Sequence, residues 1–212
     1  MNDHLLISGL FLQVGNKAVH WTSPDGLSLE SALLLSESAQ KFAIAREIAS
    51  TSTNQIPLQI TANGMGAFLF IYLSAAFNKK TSLFTRPVKQ RAIFYSILGS
   101  FTLTLWLLIR DFMNVHFENS VDEIAGSINE DYARGAVEYY SKILQRNVAL
   151  RSLLGEEGAD IFTPVGNNHL MFRTTHQPYT ARRDAAILRL KKLTLDLSSE
   201  TQPVSNDSPS QK

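Results

Sequence analysis

The stretch Phe42-Ala-Ile-Ala-Arg-Glu-Ile-Ala-Ser50 places Glu47 between two positions, 46 and 50, that in a zinc peptidase would be histidines. In a His-Glu-x-x-His helix the imidazoles at i and i+4 share one face and bind the metal, while the intervening Glu activates the metal-bound water. A second acidic segment, Glu130-Asp-Tyr-Ala-Arg134, follows further along the chain. The ligands themselves are missing. Arg46 and Ser50 stand where the imidazoles should be, and a guanidinium stays protonated and repels a dication. Glu47 and Glu130 alone cannot hold a catalytic zinc. The chemistry left to these positions is ion pairing, with Glu47 or Glu130 expected to meet Arg46 or Arg134 where a metal sits in a peptidase.

Other reactive arrangements are sparse. The five histidines, at positions 4, 20, 116, 169 and 176, form no i,i+4 pair. There is no cysteine, which removes disulfides, thiolate zinc sites and thiol nucleophiles. No Gly-x-Ser-x-Gly elbow and no Gly-rich phosphate loop occurs. The net charge is +1, yet Arg173, Arg182, Arg183, Arg189, Lys191 and Lys192 face only Asp184 locally. Such a basic surface suits lipid headgroups, nucleic acid or an acidic partner. Its plain reading is a solvated helix face, and a further reading holds Arg182 and Arg183 internally against acids of the 120–147 region. No cofactor is implied.

The elements that must position these residues divide the chain around two uncharged apolar runs, 58–77 and 92–109. At about 1.5 Å per residue the first run spans roughly 30 Å, the hydrocarbon thickness of a bilayer. Between them, residues 78–91 carry Lys79, Lys80, Arg86, Lys89 and Arg91 and no acid. The positive-inside rule turns this connector toward the cytoplasm or a mitochondrial matrix and puts both flanks on the opposite side. Gly64, Gly66, Gly99 and Ser100 are the expected small-residue packing faces of the hairpin. Asn63 reads as an interfacial residue or an interhelical hydrogen-bond contact, and Trp106 as an interface residue.

The flanks read as helical. Residues 1–57 hold an N-terminal segment, a turn signal at Ser23-Pro24-Asp25-Gly26, and a helix over 28–50 with Leu35, Ala39, Phe42, Ala45 and Ala49 on one stripe. The first twelve residues lack the basic n-region and clean cleavage site of a signal peptide and the Arg-rich character of a presequence, and read as strand-like or peripheral. In the C-terminal domain, 110–197, Ser120-Val-Asp-Glu123 has the spacing of a capping box. It announces a helix striped by Val121, Ile124, Ile128, Tyr132, Ala136, Tyr139 and Ile143. A short helical piece over 147–155 follows, with Gly155 as C-cap, then an irregular stretch over 156–180. Thr180 is the expected cap of a basic last helix bearing Ile187, Leu190, Leu193 and Leu197. Residues 198–212 read as a disordered tail.

The fold class that results is mainly α, a two-helix transmembrane hairpin with a flanking helical domain. The order of helix, hairpin and acidic helix resembles a metal-free HtpX-type peptidase layout. Two readings of that likeness stand: a peptidase-like scaffold without its metal, or a chance likeness of two amphipathic helices.

More particular strings carry a second resemblance. They are Trp21-Thr-Ser-Pro24, Ala39-Gln-Lys-Phe-Ala-Ile-Ala-Arg-Glu47, Gly135-Ala-Val-Glu-Tyr-Tyr-Ser-Lys-Ile-Leu144, Thr163-Pro-Val-Gly-Asn167 and Pro178-Tyr-Thr-Ala-Arg-Arg-Asp184. Together they resemble the transmembrane protein 177 family of metazoan mitochondria over residues 19–190. Members usually have a longer N-terminal part with a further hydrophobic segment. The resemblance implies a multi-pass protein of the mitochondrial inner membrane. It implies a non-enzymatic scaffold, partnered by cytochrome c oxidase subunit 2 and the assembly chaperone of that subunit. No nucleic acid is expected as a partner. The rival readings are a membrane zinc metallopeptidase and a basic lipid- or nucleic-acid-binding membrane tether.

Overall fold

The structure, a computed structural model, describes residues 13–14, 17–53, 55–169, 173 and 175–200. The expected strand-like or peripheral segment over residues 1–12 lies outside them. Two short strands, β1 (Gln13–Val14) and β2 (Lys17–Ala18), pair antiparallel. Among the described residues the other regular elements are helical: α1 (Pro24–Leu33), α2 (Glu37–Ser52), α3 (Gln55–Thr81), a 3₁₀ turn (Leu83–Thr85), α4 (Val88–Gly126), α5 (Glu130–Leu154), α6 (Glu156–Ile161) and α7 (Tyr179–Glu200). They form two compact units. One is drawn from Met1–Ala49, Val121–Met171 and Pro178–Lys212, the other from Ser50–Ser120 and Phe172–Gln177.

In the first unit the Ser23–Gly26 string starts a helix instead of making a free-standing turn. Ser23 Oγ accepts the Gly26 N–H at 3.0 Å, with Pro24 in the first turn where its missing N–H costs nothing. The single helix expected over 28–50 is two, α1 and α2. The break is made at Ser36, whose N–H and hydroxyl donate to the Glu138 carboxylate at 3.0 and 2.5 Å. Its hydroxyl oxygen also accepts the Ala39 N–H at 3.3 Å, as a cap does. Along α2 the predicted stripe holds, with Ala39, Phe42 and Ala49 buried. Phe42 meets Tyr139 and Tyr140 edge-on, at centroid distances of 5.7 and 5.9 Å, among buried Ala125, Ala136 and Ala186. A smaller cluster joins Val19 and Leu29 to Ala149.

The capping box at Ser120 does not form. No glycine or proline interrupts the chain between Ser100 and Ala125, so α4 runs through to Gly126. Ser120 Oγ donates back to the His116 carbonyl at 3.0 Å, as a mid-helix serine does. The true cap of the next helix is Asn129, whose side chain accepts the Tyr132 N–H at 3.0 Å. Val121 and Ile124 therefore belong to α4 and not to the stripe of α5. Helix α5 continues without interruption through the separate piece expected at 147, and ends where Gly155 takes φ +68°. Residues 156–180 are not wholly irregular, since they include α6. Thr180 is not a cap either. Helix α7 begins at Tyr179, and the cap is delivered from afar, with Asn167 Oδ1 accepting the Thr180 N–H at 3.0 Å. The Thr163–Asn167 turn aims that side chain. Within it Gly166, at φ +86°, sits so close that a Cβ would lie 2.4 Å from the Leu144 carbonyl oxygen. Helix α7 also extends past 197 to Glu200, and 201–212 lie outside the described residues.

Gly135 marks the tightest helix approach in this unit. A Cβ there would stand 2.2 Å from the Ser38 carbonyl oxygen. In an open helix Gly→Ala gains about 1 kcal/mol. Here the contact reverses the sign, and Gly135→Ala is expected to destabilise by about 1–3 kcal/mol. Gly64→Ala, where a Cβ meets nothing within 4 Å, serves as the control. Denaturant unfolding of the full chain in detergent, followed by circular dichroism, separates the two.

The second unit holds the hairpin. Helices α3 and α4 meet along one stripe of each. Trp106 Nε1 donates to Asn63 Oδ1 at 3.0 Å, and Gln59 Nε2 donates to Asn114 Oδ1 at 3.0 Å. At the connector end Tyr95 donates to Asn78 Oδ1 at 2.8 Å, and Phe77 lies 5.2 Å from Phe94. The four expected packing residues separate. A Cβ on Gly66 would lie 3.0 Å from Trp106 Cδ1, and one on Gly99 3.7 Å from Phe70. Gly64 faces open space and Ser100 is exposed. The cause is helical phase: residues one or two apart at 3.6 per turn cannot share a face. Most of the basic connector is helical, since α3 ends at Thr81 and α4 starts at Val88. The reversal is made by Ser82, at φ +47°, and the 3₁₀ turn after it.

None of the most apolar stretch of α3 is buried within the protein, and 11% of that of α4 is. Two apolar helices in a soluble core would be covered by their own chain, and these are not. Phe68, Ile71, Ile93, Ile97, Phe101 and Leu108 all lie exposed. Helices with uncharged apolar runs of this length and uncovered flanks are fitted to span a membrane.

Candidate functional site

The most concentrated chemistry in the first unit surrounds Asp122, contributed by the last turns of α4. Its carboxylate is 2% exposed and accepts four hydrogen bonds. Oδ1 takes Arg46 Nε at 3.1 Å, Arg182 Nη2 at 2.8 Å and the Tyr140 hydroxyl at 2.7 Å. Oδ2 takes Arg182 Nε at 2.7 Å. Four helices thus supply one constellation: α2 through Arg46, α4 through Asp122, α5 through Tyr140 and α7 through Arg182. The Arg182 guanidinium lies 4.9 Å over the Tyr140 ring, adding a cation–π contact in a desolvated place. Tyr140 stacks in turn on Tyr179 at 6.5 Å.

The electrostatics follow from burial. Burial, with the adjacent Asp122 charge, pushes the Tyr140 phenol up from its ordinary value of 10.0. Tyr140 therefore stays a donor throughout the physiological range. Arg46 is partly buried and also donates from Nη1 to Glu47 Oε1 at 2.7 Å, with Glu47 at the surface. The carboxylate is buried among four donors, three of them from guanidinium groups. What the cluster can do is fix which helix faces meet, because any other arrangement buries an unpaired charge.

The sequence-predicted site residues fall in several places. Arg46 and Glu47 touch, and Arg134 pairs with Glu130, but each pair forms inside one helix. Arg46 makes its buried contact with Asp122. Arg182 does not belong to a basic surface: it is 5% exposed. Tyr179, Arg182 and Ala186 recur at three and four residues, so Arg182 rides the inward stripe of α7. Arg183 pairs with its neighbour Asp184 at 2.9 Å, Arg189 is half-buried, and only Lys191 and Lys192 of that set are fully exposed. Among the described residues no three His, Cys, Asp or Glu side chains converge as metal ligands.

Local spacing hides Asp122 as a site residue, since it gives the residue a place in a capping box. A usable signal was present. Asp111, Glu118 and Asp122 recur at seven and four residues, the period of one helix face. Each meets a basic group: Arg173 Nε at 2.7 Å from Asp111, His176 Nδ1 at 2.6 Å from Glu118, and Arg182 at Asp122.

With these elements placed, comparison with known proteins is informative. The family model described as Transmembrane protein 177 matches residues 8–187. The chain belongs to the transmembrane protein 177 family. Transmembrane protein 177 of Rattus norvegicus is 35% identical over 188 residues, which is 87% of this chain and 58% of the relative. Transmembrane protein 177 of Homo sapiens is 35% identical over 174 residues, 80% of this chain and 55% of the relative. That of Xenopus laevis is 30% identical over 184 residues, 86% of this chain and 59% of the relative. The chain thus spans just over half the length of the curated relatives it matches. The relatives' names state a membrane protein and no enzymatic activity. No solved structure matches the chain.

Proposed function

We propose that this member of the transmembrane protein 177 family is a non-enzymatic assembly scaffold of the mitochondrial inner membrane. On this reading it supports the biogenesis and stability of cytochrome c oxidase subunit 2, together with the assembly chaperone of that subunit. The observation that carries it is the uncovered hairpin. Helices α3 and α4 touch along one stripe and leave their remaining apolar faces to lipid and to a membrane-embedded client. The extramembrane unit contributes a rigid platform. At the peptidase-like positions the scaffold has turned to ion pairing: Arg46 stands where a zinc ligand would be and is committed to Asp122. That is the sense in which the HtpX-type layout, without its metal, belongs to the reading.

The test is co-purification of the full chain from mitochondria after pulse-labelling of newly made mitochondrial proteins. Subunit 2 and its chaperone should be recovered with the chain, and subunit 2 should turn over faster when the chain is depleted. Recovery of neither partner, with unchanged turnover, refutes the proposal.

A further inference from the structure

We propose that the hairpin holds one anionic phospholipid at the end remote from the basic connector, with an acyl chain beside Trp106 and the phosphate at Arg110. Two cavities adjoin there and share Ala62, Trp106 and Ile109 as walls. The first, of about 210 Å³, has a polar mouth formed by Gln59, Asn63 and Arg110. The second, of about 260 Å³, lies deeper along the hairpin and is lined by Met65, Phe68, Leu69 and Leu105. A polar mouth opening onto an apolar slot fits an amphipathic ligand, and the slot opens among residues that face the bilayer.

The charge at the mouth selects the headgroup. Arg110 lies 5.6 Å over the Trp106 ring, and among the described residues no carboxylate pairs with it. Its neighbour Asp111 is already occupied by Arg173. Trp106 spends its indole N–H on Asn63, which holds the ring as a fixed wall between the two cavities. Trp and Arg together at the edge of an apolar span sit at headgroup depth. A guanidinium there binds a phosphate by paired hydrogen bonds. With the adjacent Asp111 committed to Arg173, a zwitterionic lipid would bring its own cation toward Arg110, and an anionic one would not. The continuous apolar slot favours a lipid over free phosphate. This inference stands independently of the assembly role proposed above.

The experiment is native mass spectrometry of the full chain in detergent, titrated separately with phosphatidylglycerol, phosphatidylcholine and inorganic phosphate. Phosphatidylglycerol is expected to bind about tenfold more tightly than phosphatidylcholine, one decade in Kd. Arg110→Gln, at an exposed position, should abolish that preference with helicity unchanged. Ala62→Leu, which fills the shared wall, should weaken both lipids. Lys79→Gln, at the opposite end of the hairpin, should leave both as in the wild type. Equal binding of the two lipids, or a preference that survives Arg110→Gln, overturns the proposal. So does inorganic phosphate that competes with lipid and is untouched by Ala62→Leu, which would mark a free-phosphate site.

Discussion

Asp122→Asn is expected to lower the unfolding free energy by about 3–5 kcal/mol, the cost of breaking one side of a buried ion pair. The substitution keeps the volume and one acceptor oxygen, so the effect combines the lost charge with one acceptor turned into a donor that faces other donors. Arg182, 5% exposed, would lose the carboxylate that takes its Nε and Nη2, and Arg46 would lose the charge its Nε faces. For a domain whose total stability is about 5–15 kcal/mol, such a loss is a large fraction. Arg46→Ala should cost less, because that guanidinium is 21% exposed and water takes its place. The informative companion is Asp122→Asn with Arg182→Met. Removing both charges should recover part of the loss, because a buried cation deprived of the Asp122 charge costs more than the absent bond alone. Guanidinium unfolding of the purified full chain, followed by tyrosine fluorescence and circular dichroism, measures all four proteins. A loss below about 1 kcal/mol for Asp122→Asn would contradict the arrangement, since that is the scale of a surface pair.

Phe42→Ala should cost a similar amount, about 3–5 kcal/mol, by a different mechanism. The ring is fully buried, and it meets two tyrosines edge-on. Its removal leaves a void between α2, α4, α5 and α7 that their alanines cannot fill, because Ala125, Ala136 and Ala186 are already in contact around it. The charge cluster beside it gives the comparison a diagnostic value. Phe42→Leu should recover much of the stability by restoring volume, whereas no apolar replacement at Asp122 alone can do so. Ile44→Ala, on the exposed side of the same helix, should stay within about 0.5 kcal/mol. The same unfolding measurement checks all three.

What the sequence made legible was local. The two apolar runs follow from composition alone, and the stripe of α2 follows from spacing. Gly155 could be read as a C-cap because only the adjacent helix decides it. What could not be read was decided by residues far away. The break between α1 and α2 is made at Ser36 by Glu138, 102 residues later. The start of α7 is set by Asn167, reaching across from a separate turn. The capping box at Ser120 failed for a related reason: its four residues have the right types, but nothing before them ends the helix. Arg182 could be read as a surface cation or as held internally against an acid of the 120–147 region. The second reading holds for it, and spacing alone could not choose because it assigns the partner, Asp122, to a cap. In the hairpin, Gly64 and Ser100 had the right size and the wrong phase.

The interleaved composition of the first unit sets an order on its making. Its α1 and α2 lie before the hairpin and their partners after it. Ser152 reaches Asp25 across 127 residues, and Lys142 reaches the Ser31 carbonyl across 111. Asp122 waits sixty residues for Arg182. A chain that emerges N-terminus first therefore has both apolar helices out, and in need of a bilayer, before this core can close. Membrane insertion comes first and closure of the platform comes last, so a chain cut short between Gly126 and Arg182 carries an anchored hairpin and an unfinished domain.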